Sequence, residues 1–367
     1  NQFGGRVDVD AQGNYVVVWT DTFRDAPYAR IFNSSGTALT GEIRVNTTTE
    51  YLDYPEVAVH PDGRFVVVWC SANPIEVYAR RFAADGTPLS SEFQVNQYTN
   101  YFDQSSPTVD IFDDGRFLVA WSSTQGARMF NWDESPVSDE FEFTSYDGAN
   151  PTIAIGASNL YAIAFDASYG TTGIYVRVYS NDAPVSSEGF FGGIRYIGTA
   201  WKNILFDDCN RLLVTYPNRD SNNVWCIQAS RYLLDGRALE NPITLVGEIT
   251  NLSSGWSASS LSKDCDLVVA YGIYEPYDVM AKTFRRDADN DSLTDHDENT
   301  VYFTNPERAD TDGDNAPDNT ELIADTSPTD SNSVFQVISL IQSNERQISF
   351  SSSTARVYSL QYATNII

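Results

Sequence analysis

The chain has 367 residues, 50 Asp and Glu against 23 Lys and Arg, and a formal net charge of −27. A surface of that sign repels nucleic-acid phosphates and anionic lipid headgroups, so neither is an expected partner. No apolar run approaches the length that spans a bilayer, so membrane insertion is not expected. The length suffices for one large β domain with smaller appendages.

Residues 1–286 repeat with a period near fifty residues. The strongest copies run Asp10 to Trp19 (DAQGNYVVVW), His60 to Trp69 (HPDGRFVVVW) and Asp113 to Trp121 (DDGRFLVAW), and weaker copies end at Phe165, Tyr216 and Tyr271. In the second unit a short alternating strand, Pro55 to Val59, leads through an Asp-Gly turn to Phe65–Trp69, which is apolar at every position and so buried on both faces. A third strand, Val77 to Phe82, passes through Asp85-Gly86 to a fourth, Glu92 to Asn96. Four antiparallel strands per unit describe a propeller blade. The expected fold is therefore all-β, a β-propeller of six blades over 1–286, with seven as the alternative. Trp19, Trp69 and Trp121 are expected to pack between blades, and the Asp-Gly pairs to be tight hairpins rather than sialidase-type Asp boxes, whose Trp lies closer behind the Gly. The sixth unit supplies strands near Ser257–Leu261, Asp266–Tyr271 and Asp278–Phe284 but no fourth, which a closed ring would borrow from elsewhere. The chain opens inside what reads as a repeat, as a portion of something longer would. The P-x-V-A…D-G-x-F-V-V-x-W…F-x-V-N pattern of residues 7–121 is similar to repeats of large secreted bacterial proteins, which are expected to form propellers.

Beyond Arg286 the composition changes. Between Asp287 and Asp330 lie fourteen carboxylates and one Arg, Arg308, a segment that repels itself unless a cation neutralises it. Asp287, Asp289, Asp291, Asp295 and Glu298 are followed by Asp310, Asp312, Asp314, Asp318 and Glu321 with identical spacing. Both sets place carboxylates at positions 1, 3, 5, 9 and 12 of a twelve-residue loop, the ligand spacing of an EF-hand-like calcium site. The position-7 backbone ligands would be the carbonyls of Leu293 and Ala316. Ser292 and Asn315 replace the usual Gly at the sharp turn, where positive φ is needed. Two Ca2+ ions are expected. D-A-D-N-D-S-L-T-D-H-D-E (287–298), the spacer Y-F-T-N-P-E-R-A (302–309) and D-T-D-G-D-N-A-P-D-N-T-E (310–321) resemble the thrombospondin type 3-like repeats of bacterial surface proteins. The resemblance implies a short acidic rod over 287–332 held together by its ions. Thr326-Ser327-Pro328 echoes Thr304-Asn305-Pro306 and reads as the start of a third repeat whose acidic run is missing.

Residues 333–367 alternate apolar and polar over Val334–Ile341, Arg346–Phe350 and Ala355–Tyr362, three strands of a small β module. They resemble the β-sandwich modules that follow calcium linkers near the C-termini of secreted bacterial proteins. The module reads as short of strands, either truncated or completed by another chain; in the second case an exposed edge strand is expected to pair with the same chain or with other surface or matrix proteins.

Cys70, Cys209, Cys226 and Cys265 have no C-x-x-C spacing, which argues against zinc and leaves disulfides and buried thiols both open. Calcium loops of moderate affinity fill outside cells, so an extracellular or cell-surface location is expected. Of the two histidines, His60 falls on a hairpin and His296 inside the first calcium loop. The paired carboxylates Asp113-Asp114 and Asp207-Asp208 occupy hairpin turns, where Asp is expected for turn formation. The sequence thus reads as a non-catalytic structural or adhesion protein, not an enzyme, that self-assembles through terminal strands. The alternative is a carbohydrate-binding or carbohydrate-active propeller with polysaccharide as partner, whose site would need carboxylates converging in the central channel.

Overall fold

A computed structural model describes residues 2–47, 52–72, 74–98, 104–122, 124–145, 148–167, 173–185, 189–191, 202–207, 210–219, 224–235, 242–249, 252–261, 267–273, 278–285, 287–324, 326–333, 337–342 and 346–350. It is an all-β chain forming a six-blade β-propeller. The second blade shows why. Leu52–Val59, Phe65–Ser71, Val77–Phe82 and Phe93–Gln94 pair antiparallel in sequence order. The second of these strands is buried at all seven positions, as its unbroken apolar run requires. Cross-strand aromatic pairs fix the register, with Phe65 stacked on Phe82 at 4.9 Å and Trp69 on Tyr78 at 6.3 Å.

The hairpin between the first two strands closes when His60 N donates to the Arg64 carbonyl and Gly63 N to the His60 carbonyl. Gly63 holds φ at +91°, a conformation that only Gly adopts without strain. Gly13, Gly36, Gly86 and Gly115 repeat the arrangement in other turns of the first three blades.

Blades stack by one rule. The aromatic face of each blade packs on the small-residue face of the blade before it. Phe65, Val67, Trp69 and Phe82 of blade two meet Val16, Val18, Ala29 and Ile31 of blade one. Phe117, Val119, Trp121 and Phe130 of blade three meet Val66, Val68, Val77 and Ala79 of blade two. Blades four and five continue the series, with Phe165 and Tyr216 where the earlier blades have Trp. Each buried Val, Ile or Phe contributes about 1.5–3 kcal/mol, so the cores lie between blades rather than within them. Arginine ties the outer rim. Arg80 Nη1 donates to the Val45 carbonyl at 2.9 Å, Arg128 Nη1 to Val95 at 2.9 Å and Arg177 Nη1 to Phe143 at 3.1 Å, each reaching the preceding blade's outermost strand.

The first strands Gln2–Val9, Leu52–Val59, Ser105–Ile111, Gly148–Ile155 and Asn203–Phe206 lie side by side and form the inner wall of the ring. The sixth sheet has three strands, Leu252–Leu261, Leu267–Ile273 and Asp278–Phe284. Cys70 and Cys226 are buried thiols outside any disulfide, whereas Cys209 and Cys265 lie outside the described residues.

The chain divides into two compact units, residues 1–260 with 269–281, and 261–268 with 282–367. In the second unit the acidic segment forms two loops, each running into a helical turn, Asp295–Asp297 with Glu298–Tyr302 and then Asp318–Ala324. A hairpin of Val337–Gln342 and Arg346–Phe350 follows. The third strand expected over 355–362 lies outside the described residues.

Candidate functional site

Two sets of carboxylates stand apart from the ordinary surface acids. The first lies on the inner wall. Asp8 pairs in register with Val16, and Asp110 with Leu118, so they occupy equivalent positions in blades one and three, while Ala58 and Ala154 hold that position in blades two and four. Asp8 Oδ2 accepts from Val59 N at 2.6 Å, and Asp110 Oδ2 accepts from Ile155 N at 3.0 Å, each bridging to the next inner strand. Two residues earlier, Arg6 Nε donates to Glu56 Oε1 at 2.5 Å. Burial pushes the Asp110 carboxyl up to about 7, and the negative charge of Asp8 adds to the effect. Burial also raises Asp8, against hydrogen bonds from Val59 and Val9, and raises Glu56, against the pull of Arg6. Carboxyls placed so that a neighbour splits their titrations are the raw material of acid–base catalysis.

At the end of the ring where the inner strands begin, Lys202 Nζ donates to Asp166 Oδ1 at 3.0 Å and to the Asn150 carbonyl at 2.7 Å. The Lys202 side chain is 2% exposed and burial lowers its affinity for a proton, which the Asp166 charge partly restores. The same end carries Phe23, 85% exposed on the turn after Asp21, and Tyr98, 58% exposed beyond the second blade's outer strand.

The second set is the pair of acidic loops. One carboxylate oxygen from each of Asp287, Asp289 and Asp291 lies within 4.8 Å of the others, and Asp310, Asp312 and Asp314 repeat the cluster. The loops share a set of backbone bonds. Asp287 Oδ2 accepts from Ser292 N and Asp310 Oδ2 from Asn315 N; Asp291 Oδ1 accepts from Leu293 N and Asp314 Oδ1 from Ala316 N. Asp295 Oδ1 accepts from Ala288 N and Asp318 Oδ1 from Thr311 N. Ser292 at φ +78° and Asn315 at +76° make the sharp turn at the sixth position. Glu298 and Glu321 at the twelfth are fully buried.

The oxygens that these bonds do not use point inward. Asp287 Oδ1, Asp289 Oδ2 and Glu298 Oε2 in one loop, and Asp312 Oδ2, Asp314 Oδ2 and Glu321 Oε2 in the other, are buried with no hydrogen-bond partner. Burying unpaired carboxylate oxygens is strongly unfavourable without a cation. Burial followed by the charges of Asp289, Asp291 and Asp295 drives Glu298 up to about 7, and Glu321 rises for the same reasons. The residues present therefore fit a hard divalent ion in each loop, with oxygen ligands only.

The repeated Thr-x-Pro triplets take their place here. Thr304 Oγ1 donates to Glu298 Oε1 and Thr326 Oγ1 to Glu321 Oε1, both at 3.1 Å. The echo that reads as the start of a third repeat closes the loop before it, orienting the glutamate. Replacing either Thr with Val is expected to lower calcium affinity of that loop about tenfold or more, as loss of such a positioning bond does; calorimetric titration of the whole chain measures it.

The expected turn roles also have their geometry. Asp114 Oδ2 accepts from Arg116 Nε at 2.8 Å and Asp207 Oδ2 from Arg211 Nε at 2.7 Å. His60 Nε2 lies 3.0 Å from the Asp113 carbonyl, a contact between adjacent blades. Sequence reading passed over Asp8, Glu56 and Asp110.

No family model matches the chain, and no curated protein matches it in sequence. Solved structures do. A Hadza microbial sialidase is similar over 77% of this chain and 65% of its own, at 10% identity and a TM-score of 0.47, so the chain spans less than two thirds of that enzyme. A GH43 β-1,3-galactosidase is similar over 65% and 93%, at 11% identity and 0.42. An ulvan lyase of polysaccharide lyase family PL25 is similar over 77% and 83%, at 10% identity and 0.47. At such identities the likeness concerns the propeller fold alone. The expectation that the chain is not an enzyme is nevertheless corrected: the similar structures are glycoside hydrolases and a lyase. Sequence reading sought acid–base candidates in hairpin turns, whereas the carboxyls that burial raises sit on the inner strands.

Proposed function

We propose that this chain is a carbohydrate-active propeller, acting on a polysaccharide or oligosaccharide, with an appended calcium-stabilised segment. The observation that carries this reading is the placement of Asp8, Glu56 and Asp110 on three successive inner strands, with raised carboxyls and one guanidinium, Arg6, among them. Glycosidic bond cleavage needs a proton donor and a second carboxylate beside the same bond. Asp110 is the proton donor, because it holds its proton to near neutrality, and Asp8 or Glu56 is the partner carboxylate. Phe23 and Tyr98 offer exposed rings at the rim where the inner strands start, the kind of surface on which sugar faces stack.

The chain's own residues would hold two Ca2+ ions, one by Asp287, Asp289, Asp291, Asp295, Glu298 and the Leu293 carbonyl, the other by Asp310, Asp312, Asp314, Asp318, Glu321 and the Ala316 carbonyl. Bound calcium supplies charge neutralisation and order rather than chemistry. Millimolar extracellular calcium suits such sites, and an extracellular or surface setting is part of the proposal.

The test is a glycan array read with the native chain, Asp110→Asn and Glu56→Gln. Both substitutions keep the side-chain shape and remove an ionisable group. Retained glycan binding with lost turnover in Asp110→Asn supports the assignment. A native chain that binds no glycan, or an Asp110→Asn variant that turns over normally, contradicts it.

A further inference from the structure

The inner strands of blades one to four bend at one layer. There, two residues of the inner strand stand opposite the single aromatic of the second strand: Gly4-Gly5 opposite Trp19, Tyr54-Pro55 opposite Trp69, Ser106-Pro107 opposite Trp121 and Asn150-Pro151 opposite Phe165. The extra residue makes a β-bulge, a device that re-aims a side chain. Gly4, Ser106 and Asn150 all hold φ positive, at +66°, +50° and +49°. Asn150 is exposed, yet three blades fasten it. Its N–H donates to Ser122 Oγ of blade three at 2.9 Å, its carbonyl accepts from Lys202 Nζ of blade five at 2.7 Å, and its Nδ2 donates to Asp166 Oδ2 of blade four at 3.3 Å. Asp166 Oδ1 holds Lys202 in turn, at 3.0 Å. A buried ion pair adds little stability that apolar side chains of the same volume would not, so joining blades is a poor reason to place Lys202 and Asp166 here. What the pair does achieve is to fix one exposed carboxamide. The Oδ1 of Asn150 and one hydrogen of its Nδ2 have no protein partner among the described residues.

We propose that Asn150 is a binding residue for a glycan chain at the mouth of the ring, a subsite that Lys202 and Asp166 hold in position. The subsite rests on the carbohydrate reading and deepens it. A carboxamide offers a donor and an acceptor side by side, which matches the neighbouring hydroxyls of a sugar. Lys202 offsets the Asp166 charge beneath it, so the subsite itself is close to neutral. Its position sets the length of the ligand. Asp110 Oδ2 accepts from Ile155 N, five residues farther along the inner strand that carries Asn150. At about 3.3 Å per residue the two points lie roughly 15 Å apart. No single sugar ring spans that distance. The ligand is therefore an oligosaccharide or polysaccharide chain that enters past Asn150 and runs down to the inner-wall carboxyls.

The probes are soluble galactan, xylan, alginate and hyaluronan, neutral and acidic polymers, cast into native gels through which the full chain migrates. At least one is expected to retard it. Asn150→Gly removes the carboxamide and keeps the turn, because Gly holds a positive φ without strain. It is expected to lower affinity for that polymer about fivefold or more, as the loss of hydrogen bonds to a ligand does. Oligomers of the retarding polymer, titrated by calorimetry, then separate a subsite from general damage. The native chain should bind the hexasaccharide more tightly than the disaccharide, and Asn150→Gly should lose that difference. The Lys202→Met, Asp166→Leu double variant, which releases the Asn150 carbonyl and Nδ2, should lose it too. A native chain that no probe retards removes the carbohydrate reading and this subsite with it. Retardation that Asn150→Gly leaves unchanged, or weakens equally for both oligomers, overturns the subsite and leaves the carbohydrate reading standing. A double variant that binds as the native chain does overturns the positioning role and makes the pair a joint between blades only.

Discussion

Stripping calcium from the whole chain is expected to melt residues 287–333 while the propeller stays folded. Six carboxylate oxygens, three per loop, are buried with no hydrogen-bond partner, and three Asp of each loop bring an oxygen within 4.8 Å of one another. Without the ions, like charges at these distances oppose the compact form by several kcal/mol in total. With free calcium at a hundred times the dissociation constant, each site adds about 2.7 kcal/mol to its segment. The two loops should respond together, because Asn319 N of the second donates to Asp291 Oδ2 of the first at 3.3 Å. The blades owe nothing to these ions: their cores are made of Val, Phe and Trp. Hydrogen exchange in calcium and in chelator reads the outcome residue by residue. Protection should vanish over 287–333 and persist at Phe65–Ser71 and Phe117–Ser122. Magnesium should restore little of it, since its small octahedral shell fits a seven-oxygen loop poorly. Equal protection with and without chelator would remove the metal from this account.

Asp166→Ala is the substitution expected to damage the propeller most per atom removed. It strips the partner from Lys202, whose ammonium is buried against Asp166 and the Asn150 carbonyl. A buried charge left unpaired costs about 3–5 kcal/mol, more than the pair itself contributes. The Lys202→Met, Asp166→Leu double variant removes both charges and is expected to recover most of that loss. Chemical denaturation of the three proteins checks the pattern. A single variant as unstable as the double would show that packing, not the stranded charge, sets the cost.

How much of this was legible beforehand depended on the range of the interaction. The blades were, because D-G-x-F-V-V-x-W writes a turn and a two-face buried strand within eight neighbouring residues, and each step is local. The weaker units were legible from their strand ends alone: Phe165 and Tyr216 bury as fully as the tryptophans they replace. The paired acidic loops were legible for the same reason, since all the carboxylates of each fall within twelve residues. The inner-wall carboxyls were not. Asp8, Glu56 and Asp110 are about fifty residues apart, and only the stacking of blades one to three, which packs their inner strands side by side, makes them one group. A signal did exist: charged residues at alternate positions of otherwise apolar strands, as in Pro55-Glu-Val-Ala-Val59, where a purely structural inner strand needs none. The Thr-x-Pro echo was visible but misassigned, because its hydrogen bond runs backward to a glutamate five or six residues earlier.

Chemistry at the inner wall is tested most directly on polysaccharides themselves. Incubate the chain with a panel of neutral and acidic polysaccharides in millimolar calcium and follow new chain ends by mass spectrometry across pH. At least one polysaccharide should be cut, with the rate falling as pH rises through about 7, because the proton on Asp110 is then lost. Asp110→Asn, with an unchanged melting temperature, should cut none. A panel left intact, or an Asp110→Asn variant as active as the native chain, would contradict the account.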